Sequence, residues 1–156
     1  MPEITSPRPS AAQLAKYAKL FNESQTLKYF GARVSFPDGD RVEVCIDQIK
    51  PEQRGGLGTS AVNGGVLAAV FDFAIGVTAA LVDPTRRSAT MQLSMMFERP
   101  VQGNSFRVEA RINAAARSVL FSTAILRDAQ GNECARCQGV VRTSQLHWES
   151  GESPAI

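Results

Sequence analysis

Between Asn63 and Asp83 the chain runs through nineteen residues, GGVLAAVFDFAIGVTAALV, in which Asp72 is the single charge and Thr78 the one other polar side chain. The run predicts a long helix that ends at Asp83-Pro84, where proline cannot continue it. A helix apolar on every side has to be covered on every side. One sheet face cannot do that alone, so either the sheet curls around the helix or a second subunit helps to bury it. A lone carboxylate in such a place costs several kcal/mol to desolvate unless it finds partners or is neutralised. Folding alone gives no reason to put an acid there, which makes Asp72 the first candidate for function.

Small residues recur at helical spacing from Asp72: Gly65, Ala68, Ala69, Gly76 and Ala79. Val66, Val70, Phe73 and Val77 gather on another face. Small side chains let a neighbouring backbone or a ligand approach closely. The stripe is expected to pack tightly, helix on sheet, and the acid within it to open into a narrow binding channel.

Around this helix the pattern is α+β. Ser10 is placed to N-cap an amphipathic helix carrying Leu14, Tyr17 and Phe21, broken near Asn22 and ending by Phe30. Gly31–Phe36 and Arg41–Ile46 alternate on either side of Pro37-Asp38-Gly39-Asp40, a hairpin signal. After the long helix, strands are expected over Ser88–Phe97, Phe106–Ala114, Val119–Arg127 and Glu133–Thr143, joined as a four-strand meander. The expected organisation is an N-terminal tail and helix over residues 1–30, the main domain over 31–146, and a flexible tail over 147–156, with the first ten residues loosely packed. At 156 residues the chain is long enough for one domain with a core of its own.

Composition narrows the function classes. A net charge of +2, spread over scattered arginines, does not make a nucleic-acid surface. Cys134 and Cys137 have C-x-x-C spacing, but a zinc site needs a second ligand pair and the sequence has one histidine, His147. No metal is therefore expected, and the three cysteines read as reduced structural thiols. The N-terminus lacks the apolar core of a secretory signal, and the one long apolar run carries an acid. The expectation is a soluble cytoplasmic protein, neither nucleic-acid-binding nor membrane-bound.

Asn63-Gly64-Gly65 opening the long helix, with Asp72 two and a half turns in, resembles the hotdog-fold acyl-CoA thioesterases of the phenylacetate-degradation (PaaI-like) and 4-hydroxybenzoyl-CoA type. The resemblance spans roughly residues 40–143. It takes in Gly58-Thr59, Thr90-x-Gln92, Phe97-Glu98-Arg99-Pro100-Val101, Arg117-Ser118-Val119-Leu120-Phe121 and Leu126-Arg127-Asp128-x-x-Gly131. It implies an antiparallel sheet wrapped around a long central helix, and hydrolysis of a medium-chain or aryl acyl-CoA to free acid and CoA. The alternative is a non-hydrolytic acyl- or acyl-CoA-binding protein of the same fold. No cofactor is implied beyond the CoA of the substrate.

The residues agree with this chemistry. Backbone N–H groups at a helix N-terminus lack intrahelical partners and sit at the positive end of the dipole. With no Cβ at Gly64 and Gly65, a thioester carbonyl can approach those donors, which would stabilise its oxyanion. The resemblance points first to the Gly64 N–H. Asp72 would be the general base or the nucleophile, with Thr90 positioning water and Gln92 near the same pocket. Gly64 and Asp72 are about 12 Å apart along one helix, so one thioester would draw them from two subunits of a homodimer or a dimer of dimers. Arg86 and Arg87 after the helix, Arg99 and Arg117-Ser118 are the candidates for the CoA phosphates, Arg117 and Ser118 first among them. Two departures stand out. Asn63 replaces the usual His, and Leu57 or Gly56 falls where many relatives place an Asn or Gln.

Overall fold

The computed structural model describes residues 7–150. Ser10 caps α1 (Ala11–Asn22) through a reciprocal pair with Gln13, Ser10 Oγ accepting from Gln13 N–H at 3.2 Å and Gln13 Oε1 accepting from Ser10 N–H at 2.8 Å. The chain breaks where expected and restarts as α2 (Gln25–Phe30), capped by Ser24. The Asn22 side chain reaches across the break, its amide donating to Val34 O at 3.0 Å and accepting from Val34 N–H at 2.7 Å. That pair seals the open edge of β1 (Ala32–Ser35), which forms the predicted hairpin with β2 (Val42–Ile46).

The central helix is α3 (Gly64–Val77), extended by a 3-10 turn over Thr78–Leu81. Four long strands follow, β3 (Arg86–Phe97), β4 (Phe106–Ala116), β5 (Val119–Asp128) and β6 (Glu133–His147). All six strands form one antiparallel sheet in the order β1-β2-β4-β5-β6-β3. The sheet curls around one side of α3, burying Leu67, Val70, Phe71, Ala74, Ile75 and Val77. Gly64–Leu81 is long and apolar enough to cross a membrane by length and composition, but half of it is buried inside the fold as this core helix.

The expected meander holds only for β4, β5 and β6. β3 pairs with β6 at the far edge, and β4 pairs with β2. The segment 99–104 between β3 and β4 is part of a crossover and not a tight turn. Its Val101 is fully buried and accepts from Val62 N–H at 2.9 Å, while Asn104 O accepts from Ile49 N–H at 2.7 Å. Alternation identifies a strand but not its partner, so the sequence pattern was silent on this crossing.

Two expectations about α3 change. The helix is apolar all round, yet Gly64, Gly65 and Asp72 are exposed and Ala68 and Ala69 half-buried. The desolvation argument therefore does not hold within one protomer. The small-residue stripe divides as well. Its C-terminal part packs, with Ala79 buried and a Cβ on Gly76 only 3.2 Å from Thr90 Oγ1, while its N-terminal part faces outward.

The cysteines are free and buried. Burial, helped by the Glu43 carboxylate, pushes the Cys45 thiol up to about 12, and burial pushes Cys137 up to about 11. Protonated thiols are poor nucleophiles and poor metal ligands.

Candidate active site

The start of α3 sorts its donors. Asn63 is the N-cap, in extended backbone geometry, and its Oδ1 accepts from Gly65 N–H at 2.8 Å. Its own N–H donates to Gln53 O at 2.8 Å, and its carbonyl accepts from Val66 and Leu67. Gly64 N–H is left with no partner among the described residues, and a Cβ there would meet nothing within 4 Å. Of the two glycines, only Gly64 offers an open donor at the positive end of the helix. Gly65 contributes by lacking a side chain, since a Cβ would come within 3.0 Å of Asn63 Oδ1.

Asp72 lines a groove of about 720 Å³ between α3, α1 and the first half of β3. Gly76, Ser88 and Thr90 line it beside the acid, and Ser88 Oγ donates to Gly76 O at 3.2 Å. Tyr17, Phe21, Phe73 and Trp148 supply apolar walls, and Trp148 is held by its indole N–H donating to Pro84 O at 2.7 Å. The Asp72 carboxylate has no hydrogen bond or ion pair among the described residues. Its charge adds to the burial that raises the Cys137 thiol.

The structure thus brings Thr90 to Asp72 and keeps Asn63, Gly64 and Gly65 out of that groove. Gln92 goes elsewhere. A bulge at Met91 sets Thr90 opposite Val141 and Gln92 opposite Val140, so the side-chain parity of β3 flips. Gln92 consequently joins Asn113, Phe121, Thr123 and Gln138 around a hollow of about 360 Å³ on the outer sheet face. Arg117, at φ 55 in the β4–β5 turn, and Ser118 line a third hollow of about 660 Å³. Arg86 lines both this hollow and the Asp72 groove. Arg99 is exposed just beyond the other end of β3 and lines none of these hollows. Among the described residues no three His, Cys, Asp or Glu side chains are grouped to hold a metal. Sequence reasoning did not bring α1 or Trp148 to the site. Their apolar spacing was visible, but the same spacing serves any helix lying on a core.

The thioesterase superfamily model matches residues 60–135, which include α3 and β3 to β5. A search of curated protein sequences gives no match. A Shewanella oneidensis protein related to the thioesterase superfamily is 25% identical, with a TM-score of 0.75 over 86% of this chain and 97% of its own. The Escherichia coli PaaI protein of the phenylacetic acid degradation operon is 13% identical, with a TM-score of 0.74 over 88% and 97%. A Streptococcus mutans protein bound to acetyl-CoA is 12% identical, with a TM-score of 0.59 over 67% and 82%. The fold is a hotdog fold, and just under half of the chain matches the thioesterase superfamily model.

Proposed function

We propose that the protein is an acyl-CoA thioesterase that hydrolyses a medium-chain or aryl acyl-CoA, working in the cytoplasm as a homodimer or dimer of dimers. The observation that carries this reading is a pair of unspent groups. Among the described residues Gly64 keeps an unpaired N–H at the helix N-terminus, and Asp72 an unpaired carboxylate in a groove with apolar walls. In one chain they are too far apart to meet on one carbonyl. Across a dimer, Asp72 would face Gly64 of the partner subunit.

A second copy also answers the uncovered surface. β3 pairs only on its β6 side and exposes Met91, Met96 and Phe97 at 60%, 65% and 49%. The half-buried Ala68 and Ala69 lie on the outward face of α3. An unpaired apolar edge strand beside an uncovered helix face is what a partner would cover.

As general base, the Asp72 carboxylate takes a proton from water while the oxygen adds to the thioester carbon. The developing oxyanion accepts from the Gly64 N–H, the C–S bond then breaks, and the CoA thiolate leaves and takes up the proton. As nucleophile, Asp72 itself attacks the thioester carbon, the C–S bond breaks to release the CoA thiolate, and water then cleaves the mixed anhydride, regenerating Asp72 and giving up the proton that the thiolate takes. Thr90 is placed to orient the water. With Oδ1 engaged, Asn63 retains its Nδ2–H donors for the carbonyl. Arg117 and Ser118, reached from the groove past Arg86, and Arg99 are the candidates for CoA phosphates.

One feature favours the non-hydrolytic alternative. Leu57, near the place where relatives carry an Asn or Gln, is fully exposed at φ 59 and brings no polar group. An acyl-CoA panel decides between the two. Wild type is expected to turn over, and Asp72→Asn to lower kcat by at least ~100-fold, the scale of a general base, with Tm unchanged because Asp72 has no partner to lose. Absence of turnover across aliphatic and aromatic acyl-CoAs, or full activity in Asp72→Asn, would leave acyl-CoA binding as the function.

A further inference from the structure

Two side chains lining the Asp72 groove carry charge that is unpaired among the described residues, and they have opposite signs. Asp72 is one; Arg87 is the other. Arg86, beside it, is spent: its Nε donates to Asp83 Oδ2 at 2.9 Å and its Nη1 to Gln145 Oε1 at 2.6 Å. Lys16, near the Trp148 ring, is ion-paired to Glu149 at 2.9 Å. Arg87 makes no ion pair with Asp72 or with any other acid among the described residues, and its Nε is buried with no hydrogen-bond partner. Arg41 Nε shares that second property, but Glu109 lies 3.4 Å from it. The β6 ladder passes from His147 to Thr143 while β3 passes from Arg86 to Ser88, so no β6 residue pairs with Arg87. Irregularities of this kind re-aim side chains beside active sites. A buried guanidinium N–H without an acceptor loses hydration it does not recover.

We propose that Arg87 is an anion anchor in this groove, holding a carboxylate or phosphate oxygen of the ligand while Asp72 faces another part of it. A planar, permanently charged fork suits both oxyanions. In an acyl-CoA the anion has two sources: a carboxylate at the far end of the acyl group, or a phosphate of CoA. Identifying the ligand as an acyl-CoA rests on the thioesterase reading; the anchor itself does not.

Calorimetric binding separates the sources without requiring turnover. The first pair of probes is CoA against phosphate-free pantetheine. The second is the octanoyl against the suberyl amide of N-acetylethylenediamine, which differ by one terminal carboxylate. Wild type is expected to prefer the anionic member of at least one pair by about tenfold or more, the scale of a charge-assisted hydrogen bond. Arg87→Gln should erase that preference and leave the neutral member's affinity unchanged. Arg87→Lys should retain part of it, which guards against a folding defect in the Gln variant. A preference confined to CoA assigns the anchor to phosphate, and one confined to the suberyl amide assigns it to an ω-carboxylate. If wild type prefers neither anion, or the preference survives in Arg87→Gln, the anchor is refuted. Lack of hydrolysis with the anion preference intact would refute the thioesterase reading alone.

Discussion

Gly64 and Gly65 are neighbours with different work at the start of α3. The Asn63 side chain consumes one N–H and leaves the other open. This allows a test that removes a single donor. Proline is favoured at the first helical position, where its missing N–H and fixed φ fit the helix. The preceding Asn63, at φ −60 and ψ 135, already has the extended conformation a proline requires before it. Gly64→Pro is therefore expected to keep Tm within a degree or two of wild type, while kcat for acyl-CoA hydrolysis falls by roughly 10²–10³, the scale of one oxyanion donor. Full activity in that variant would show that the Gly64 N–H is not the donor. Asp72 was conspicuous in the sequence as the only charge in its run. Its solvent-facing position was not, because a helix apolar on all sides carries no mark of which side its own sheet will take.

Among the elements, α3 and β6 approach closely at Gly139. A Cβ on Gly139 would lie 2.5 Å from Ile75 Cγ2, 3.1 Å from Leu93 Cδ2 and 3.3 Å from the Gln92 carbonyl oxygen. Ile75 is fully buried and β-branched, so it has little room to give. Gly139→Ala is expected to cost about 1–3 kcal/mol as overpacking, read as a lower urea midpoint with an unchanged slope. A neutral result would mean that α3 can shift on the sheet. The Ser10 cap on α1, the break near Asn22, the β1–β2 hairpin and the four late strands were all readable from local pattern. Two element-scale features were not: the crossover that carries the chain from β3 to β4, and the bulge at Met91 that turns Gln92 to the outer face. Both are set by contacts distant in sequence, which residue periodicity does not encode.

For the whole molecule, the proposed chemistry requires a partner subunit, because Gly64 and Asp72 are too far apart to serve one thioester within a single chain. Light scattering is expected to show a dimer or a dimer of dimers, and a stable monomer would abolish the composite site. Complementation is the sharper test. Asp72→Asn and Gly64→Pro chains, each inactive alone, are co-expressed in equal amounts. Random pairing makes half the dimers mixed, and one site of each mixed dimer combines an intact Gly64 with an intact Asp72. About a quarter of wild-type activity should return. No recovery from confirmed mixed dimers would place both groups in one chain's site.

By itself the sequence determined the long central helix, the strands around it, the Ser10-capped helix before it and the residues that stand out on it. Each of these follows from local spacing and from the cost of leaving polar groups unpaired. Only the tertiary structure decided which face of α3 the sheet covers, where β3 sits, and which candidates share a groove. Those outcomes depend on how a twisted sheet closes around a helix, which brings Tyr17, Thr90 and Trp148 beside Asp72 from three distant parts of the chain.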